Sequence, residues 1–231
     1  MGEGRNLGDI VQGAARLIRR SVFSRPFAML LLVDCLLIGV HLFIATAPWE
    51  QDWPGSDWLR VDRDHSIAEM FEYANLFAAA AVLWSLIWRR RILRLAPAGF
   101  ALIYMIADDA FELHEKVGKR LAPGRRVLGE LSFFLICGAV LFGWGMFNFL
   151  RGGREDRMAL LTIGTVIAGI AAFGVGLDAL HGALISAQTG LKGIFTLIED
   201  SGELVGISLL LAVVLELRAP ADHGSRSAAL L

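Results

Sequence analysis

The sequence predicts an all-α fold: a polytopic integral membrane protein, a bundle of about six transmembrane helices. Three observations carry this. The chain of 231 residues is 55% hydrophobic with a mean hydropathy of +0.57, outside the range of ordinary soluble domains. Six apolar runs, at 27–47, 67–88, 95–115, 131–150, 158–186 and 194–217, approach or exceed the roughly 20 residues that cross about 30 Å of hydrocarbon. Arginines gather between alternate runs, as expected where the chain returns repeatedly to one side of a membrane.

Each element follows from local sequence. Residues 1–26 form a basic arm in which Ile10, Ala14, Leu17 and Ile18 alternate with Arg16, Arg19 and Arg20, the pattern of an interfacial helix. Its length, and Pro48 after Ala45-Thr46-Ala47, argue against a cleaved secretion signal. Residues 27–217 hold the six runs, all expected as helices because every backbone amide must be satisfied within lipid. Residues 218–231 form a short polar tail. Trp49, Trp53 and Trp58 at one boundary and Trp84 and Trp88 at the other read as interfacial anchors. Cys35 and Cys137 follow no ligand or redox spacing and read as small core residues.

Charge position sets orientation. Arg5, Arg16, Arg19, Arg20 and Arg25 precede the first run, Arg89, Arg90, Arg91 and Arg94 follow the second, and Arg151, Arg154 and Arg157 follow the fourth. Both termini are therefore expected in the cytoplasm, as in a bacterial inner-membrane protein. The loop with Lys116, Lys119, Arg120, Arg125 and Arg126 breaks the rule, because it would lie outside. The net charge of −1 names no partner, and nothing in the chain suggests nucleic acid.

Eleven of the 23 carboxylates lie within or at the ends of the apolar runs: Glu69, Glu72, Asp108, Asp109, Glu112, Glu115, Glu130, Asp178, Glu199, Asp200 and Glu203. With the orientation above they fall in the outer half of the bilayer, and His41 and His181 join them. An unpartnered carboxylate in lipid costs on the order of 2.5–3.5 kcal/mol, so the layer calls for protons, polar partners or bound cations. On one continuous helix Asp108, Glu112 and Glu115 fall within about 60° of each other, with His114 roughly opposite. Asp178 and His181 are three residues apart, as are Glu69 and Glu72. Asp109-Ala-Phe-Glu112 followed by Gly129-Glu130-Leu131 parallels Asp178-Ala-Leu-His181 followed by Gly202-Glu203-Leu204, which suggests repeated helical hairpins.

Two carboxylate helices plus two with paired ligands is the plan of a four-helix dimetal site. The metal ligands expected here are Glu69, Glu72, Asp108, Glu112, Glu115, Asp178, His181, Glu199 and Glu203, with Glu112 and Asp200 as catalytic bases. An oxygen-rich set with one imidazole suits a divalent metal ion, Fe, Mn or Zn, or else Mg or Ca, singly or as two ions. Its substrate would be a membrane lipid or another amphiphilic small molecule, hydrolysed or oxidised at the outer face, with the basic outer loop receiving a phosphate. Proton- or cation-coupled transport and a purely structural role are the alternatives. The runs 108–115 and 198–204 resemble motifs of bacterial multipass proteins, a resemblance that names no single family.

Overall fold

In the computed structural model, residues 7–46, 56–61, 63, 66–177 and 189–219 are described. Among them are eight α-helices and no strand. Helix α1 (Leu7–Val22) buries Ile10, Gly13, Ala14, Leu17 and Ser21, one stripe at helical spacing. Ser24 then caps α2 (Arg25–Thr46): its Oγ accepts from the Phe27 amide at 3.2 Å, with Pro26 in the first turn where no amide is missed. A short 3₁₀ turn (Ser56–Leu59) precedes Ser66, whose side chain accepts from the Glu69 amide and starts α3 (Ile67–Arg90). Arg91, at φ 52°, ends α3 in the left-handed region.

Helix α4 (Ala96–Phe111) opens on Pro97 and stops at Glu112, which is left-handed at φ 50°. Helix α5 (Leu113–Leu121) follows at once, then α6 (Arg126–Arg151) and α7 (Arg154–Ala171). A π turn (Ala172–Leu177) continues α7, and α8 (Thr189–Arg218) closes the described chain.

Helix α8 is the central post, packed by α1, α2, α3 and α7, while α4 joins α3 to α6. Leu83 and Ile87 of α3, Leu102 of α4, Ile163 of α7 and Leu210, Val213 and Val214 of α8 have almost no exposed surface and form its core. The outer surface is apolar instead of polar. Leu135, Val140 and Phe142 of α6 and Met29, Leu32 and Leu36 of α2 point away from the protein, an exposed apolar surface consistent with a membrane protein. Four helical segments are long and apolar enough to cross a membrane: Arg25–Thr46, Ile67–Arg90, Val127–Arg151 and Arg154–Leu177.

The other two expected spans differ from the sequence reading. The run at 95–115 is not one helix: its regular part has 16 residues, about 24 Å, and breaks at Glu112. Helix α8 has 30 residues and ample length, but it carries Glu199, Asp200, Glu203 and Glu216.

The two ends of the bundle have opposite chemistry. At the arginine end Arg90 donates to the Arg218 carbonyl at 3.4 Å, and Arg94 meets Asp156 at 3.1 Å. The amphipathic α1 packs here, with Gly13 so close to Met158 that a Cβ would overlap its sulfur. At the acidic end, α5 and α6 cross with Gly118 against Gly129, where a Cβ on either would collide with backbone. Trp58 and Trp88 are exposed, as expected of anchors, whereas Trp84 packs on Gly99 and edge-on to Phe100. Cys35 is exposed on α2 and so is not a core residue.

Candidate functional site

Three polar groups lie at or beneath the acidic end. The largest is a carboxylate cluster drawn from α3, α4 and α8. Ser66 starts α3 so that Glu69 and Glu72 sit on its first two turns, and Tyr73 Oη donates to Glu69 Oε1. Asp109, on the last turn of α4, reaches the same place and has Tyr73 and Glu69 as neighbours. From α8 come Glu199, Asp200 and Glu203. The charged neighbours of Glu72 are Glu203, Asp109, Asp200 and Glu69, and those of Glu203 are Asp109, Asp200 and Glu199. Among the described residues, then, the charged neighbours of Glu72 and Glu203 are all carboxylates. Both are half-buried, and Asp109 is exposed, so the cluster opens toward the end of the bundle.

Missing side chains on the π turn seat Glu203. A Cβ on Gly174 would overlap the Glu203 carboxylate, and one on Gly202 would overlap the Phe173 ring. The turn therefore lies directly on α8, and insertions of this kind inside helices are frequent at functional sites. It leads toward Asp178 and His181, which lie outside the described residues. Both Gly-Glu-Leu motifs of the sequence repeat use glycine alike: Gly129 admits Gly118, and Gly202 admits Phe173.

The second group corrects the sequence reading of 108–115. Because the helix breaks at Glu112, the residues do not form one stripe. Asp108 is buried and turned from the cluster: its Oδ1 accepts from the His114 amide at 2.8 Å, and Oδ2 lies 3.3 Å from His114 Nδ1. Glu112 is exposed and 3.7 Å from Lys116, while Glu115 meets Lys119 at 3.0 Å. These two are spent on helix pairs of α5. His114, left out by the angular argument, stacks on Phe134 and is the imidazole that contacts Asp108. The 3.3 Å contact with Asp108 holds its pKa above the usual 6.5, against the opposing effect of burial; Glu130 and Glu115 add electrostatic support. The sequence signal for this break was the run Asp-Asp-Ala-Phe-Glu-Leu-His-Glu, where a second helix starts within four residues of a potential capping aspartate.

The third group is internal. Asn75 Nδ2 donates to Ser208 Oγ at 3.4 Å, and Ser208 Oγ donates to Asp34 Oδ1 at 3.1 Å, linking α3, α8 and α2. His41, further along α2, accepts from the Val61 amide at 3.2 Å and ties the loop after α2 to that helix.

Of the expected ligands, Glu69, Glu72, Glu199 and Glu203 come together with the expected base Asp200. Asp109, which is not among the expected ligands, joins them. Asp108, Glu112 and Glu115 do not. No group of three or more His, Cys, Asp or Glu among the described residues is gathered closely enough to hold a metal ion. Each of the six carboxylates is within electrostatic reach of Glu72, Glu203 or both, without forming a coordination shell among the described residues.

The chain belongs to a family defined by a domain of unknown function, DUF8692, whose model matches residues 19–217. That match takes in all helices from α2 to α7 and nearly all of α8. No curated protein and no solved structure matches the chain.

Proposed function

We propose that this protein is a six-span membrane protein, both termini cytoplasmic and resident in a bacterial inner membrane, whose outward-opening carboxylate cluster takes up cations, protons included, for proton- or cation-coupled transport. One observation carries the reading. Glu72 and Glu203, on different helices, face each other amid further carboxylates, with no cationic side chain of the described residues among their charged neighbours. Such a set is tolerable in a membrane only when protons or a bound cation balance it. The arginine end supports the orientation, since α1 and the connections α3–α4 and α6–α7 bring their arginines together there. In this reading α4 and α8 complete the six spans. Helix α8 tolerates its charges because α1, α2, α3 and α7 surround it, and α4 is lengthened by α5 at the membrane surface.

The test is cation uptake by the purified protein in detergent. Wild type is expected to bind about one Mn²⁺ per chain and to release protons as it does so. Glu72→Gln with Glu203→Gln should weaken binding about tenfold or more, whereas Glu216→Gln should not. A folded wild type that neither binds Mn²⁺, Zn²⁺ or Ca²⁺ nor releases protons would sink the reading. Liposomes with an imposed pH gradient then separate transport from tight binding alone.

The metal-dependent enzyme acting on a lipid or amphiphile is the second reading, and the π turn favours it. Gly174 sets backbone against Glu203 four residues before Asp178, so Asp178 and His181 are the residues best placed in sequence to complete a ligand set. Its mark would be one or two transition-metal ions retained through purification and lost in His181→Ala.

A further inference from the structure

We infer that Asp34 is a separate proton-binding site at the centre of the bundle, exchanging its proton with the outer carboxylate cluster. The inference rests on the orientation proposed above, but not on the cluster's affinity for a metal ion.

Asp34 has no exposed surface and lies in the tenth position of the 22-residue α2. That is about 14 Å from the start of a helix about 33 Å long, near the middle of the hydrocarbon. Its hydrogen bonding runs in one direction. Ser208, held by Asn75, donates its hydroxyl to Oδ1, and Oδ2 is buried without a partner. A carboxylate anion there would have one neutral hydrogen bond as its whole support. Among the described residues no charged group is placed to balance it. Helix α8 presents Ser208, α3 presents Asn75, and no charged group of α1, of the Ser56–Leu59 turn or of any other described element faces it. On α2 itself Cys35 points outward, and His41 lies about two turns away, bonded to the Val61 amide. A carboxylic acid, with its proton on Oδ2, keeps the Ser208 bond and removes the isolated charge, leaving one neutral hydroxyl in its place.

Asn75 also gives direction to the exchange. It follows Glu72 by three residues on α3, so the two side chains share one face of that helix, with Glu72 on the side of the cluster. Below it Leu83, Leu86 and Ile87 meet Leu210, Val213 and Val214, an apolar floor that offers no proton acceptor. The exchange conserves charge: the O–H bond of the Asp34 acid breaks and the proton becomes that of Glu72 or Glu203, an anion before and an acid after. Asp34 is the anion left behind until it is reprotonated from the same side.

Infrared difference spectroscopy of the full chain in proteoliposomes tests this directly, because a protonated carboxyl in an apolar site gives its own C=O stretch. The expected result is a band that Asp34→Asn removes, that Ser208→Ala moves, and that Glu216→Gln leaves alone. It should bleach when the outer pH is raised at fixed inner pH and persist when only the inner pH is raised. Because Asp34→Asn is itself at risk of not folding, Ser208→Ala is the companion: it keeps the carboxyl and removes its one donor. No band that responds to either variant, or a band bleached from the inner side alone, would overturn the inference. A responsive Asp34 band in a protein that binds no metal ion would uphold it while sinking metal uptake by the cluster.

Discussion

Helices α6 and α8 invert the usual link between apolarity and burial. Helix α6 reads as a plain hydrophobic span, yet none of its most apolar 18-residue window is buried inside the protein. Helix α8 carries four carboxylates, too many charges for a plain hydrophobic span, yet it supplies Leu204, Leu210, Ala212, Val213 and Val214, all without exposed surface. Lipid accepts any apolar side chain, so α6 needs only composition. The centre of a bundle demands shape and tolerates a polar group that finds partners, so α8 mixes close-packed aliphatics with Ser208 and the carboxylates of the acidic end.

The comparison predicts where substitutions hurt. The largest effect should come from Leu210→Ala, which empties a core position on α8. It is expected to cost about 2–5 kcal/mol, against no measurable change for Leu135→Ala on the lipid face of α6, read by unfolding in mixed micelles. Equal losses at the two sites would break the contrast. Next, Gly118→Leu should push α5 off α6 at a cost of about 1–3 kcal/mol, visible as faster proteolysis between the helices, while Gly138→Leu, which faces open space on α6, should be silent.

A smaller effect concerns the Asp108–His114 contact beside the cluster. Because His114 titrates above 6.5 when folded, the contact's contribution is fully present below the unfolded value and is lost as pH rises through the folded one. Asp108→Asn should therefore lower stability more at about pH 5.5 than at about pH 8.5, and should move the imidazole titration downward by NMR. An unmoved titration would detach His114 from Asp108. The mildest test is labelling: Cys35, exposed on α2 one residue from Asp34, should resist a membrane-permeant maleimide in proteoliposomes, where an apolar surrounding keeps its thiol protonated, and react once the chain is unfolded in detergent and urea.

Much of the architecture was legible in the chain. The runs at 27–47, 67–88 and 131–150 correspond to helices within a few residues, because twenty apolar residues in sequence leave little choice in lipid. The stripe of Ile10, Ala14 and Leu17 correctly marked an amphipathic helix, although the face is buried against α7 and α8. The carboxylate layer was legible as depth, since depth follows from counting along a span.

Azimuth was not. The pairing of Asp108 with His114 depends on one left-handed residue, Glu112, and a break of that kind rotates everything after it. Which carboxylates meet likewise depended on how three helices are turned toward each other, a property of packing between distant segments. The sequence by itself determined the class of the protein, the polarity of its two ends and the presence of too many acids for lipid to bear unaided. Only the tertiary structure decided that Glu72, Asp109 and Glu203 share a space while Glu112 and Glu115 do not, and that Asp34 ends a chain of hydrogen bonds in the core. Hydropathy is a sum along the chain, whereas a site is a meeting between chains of side-chain contacts that no local sum contains.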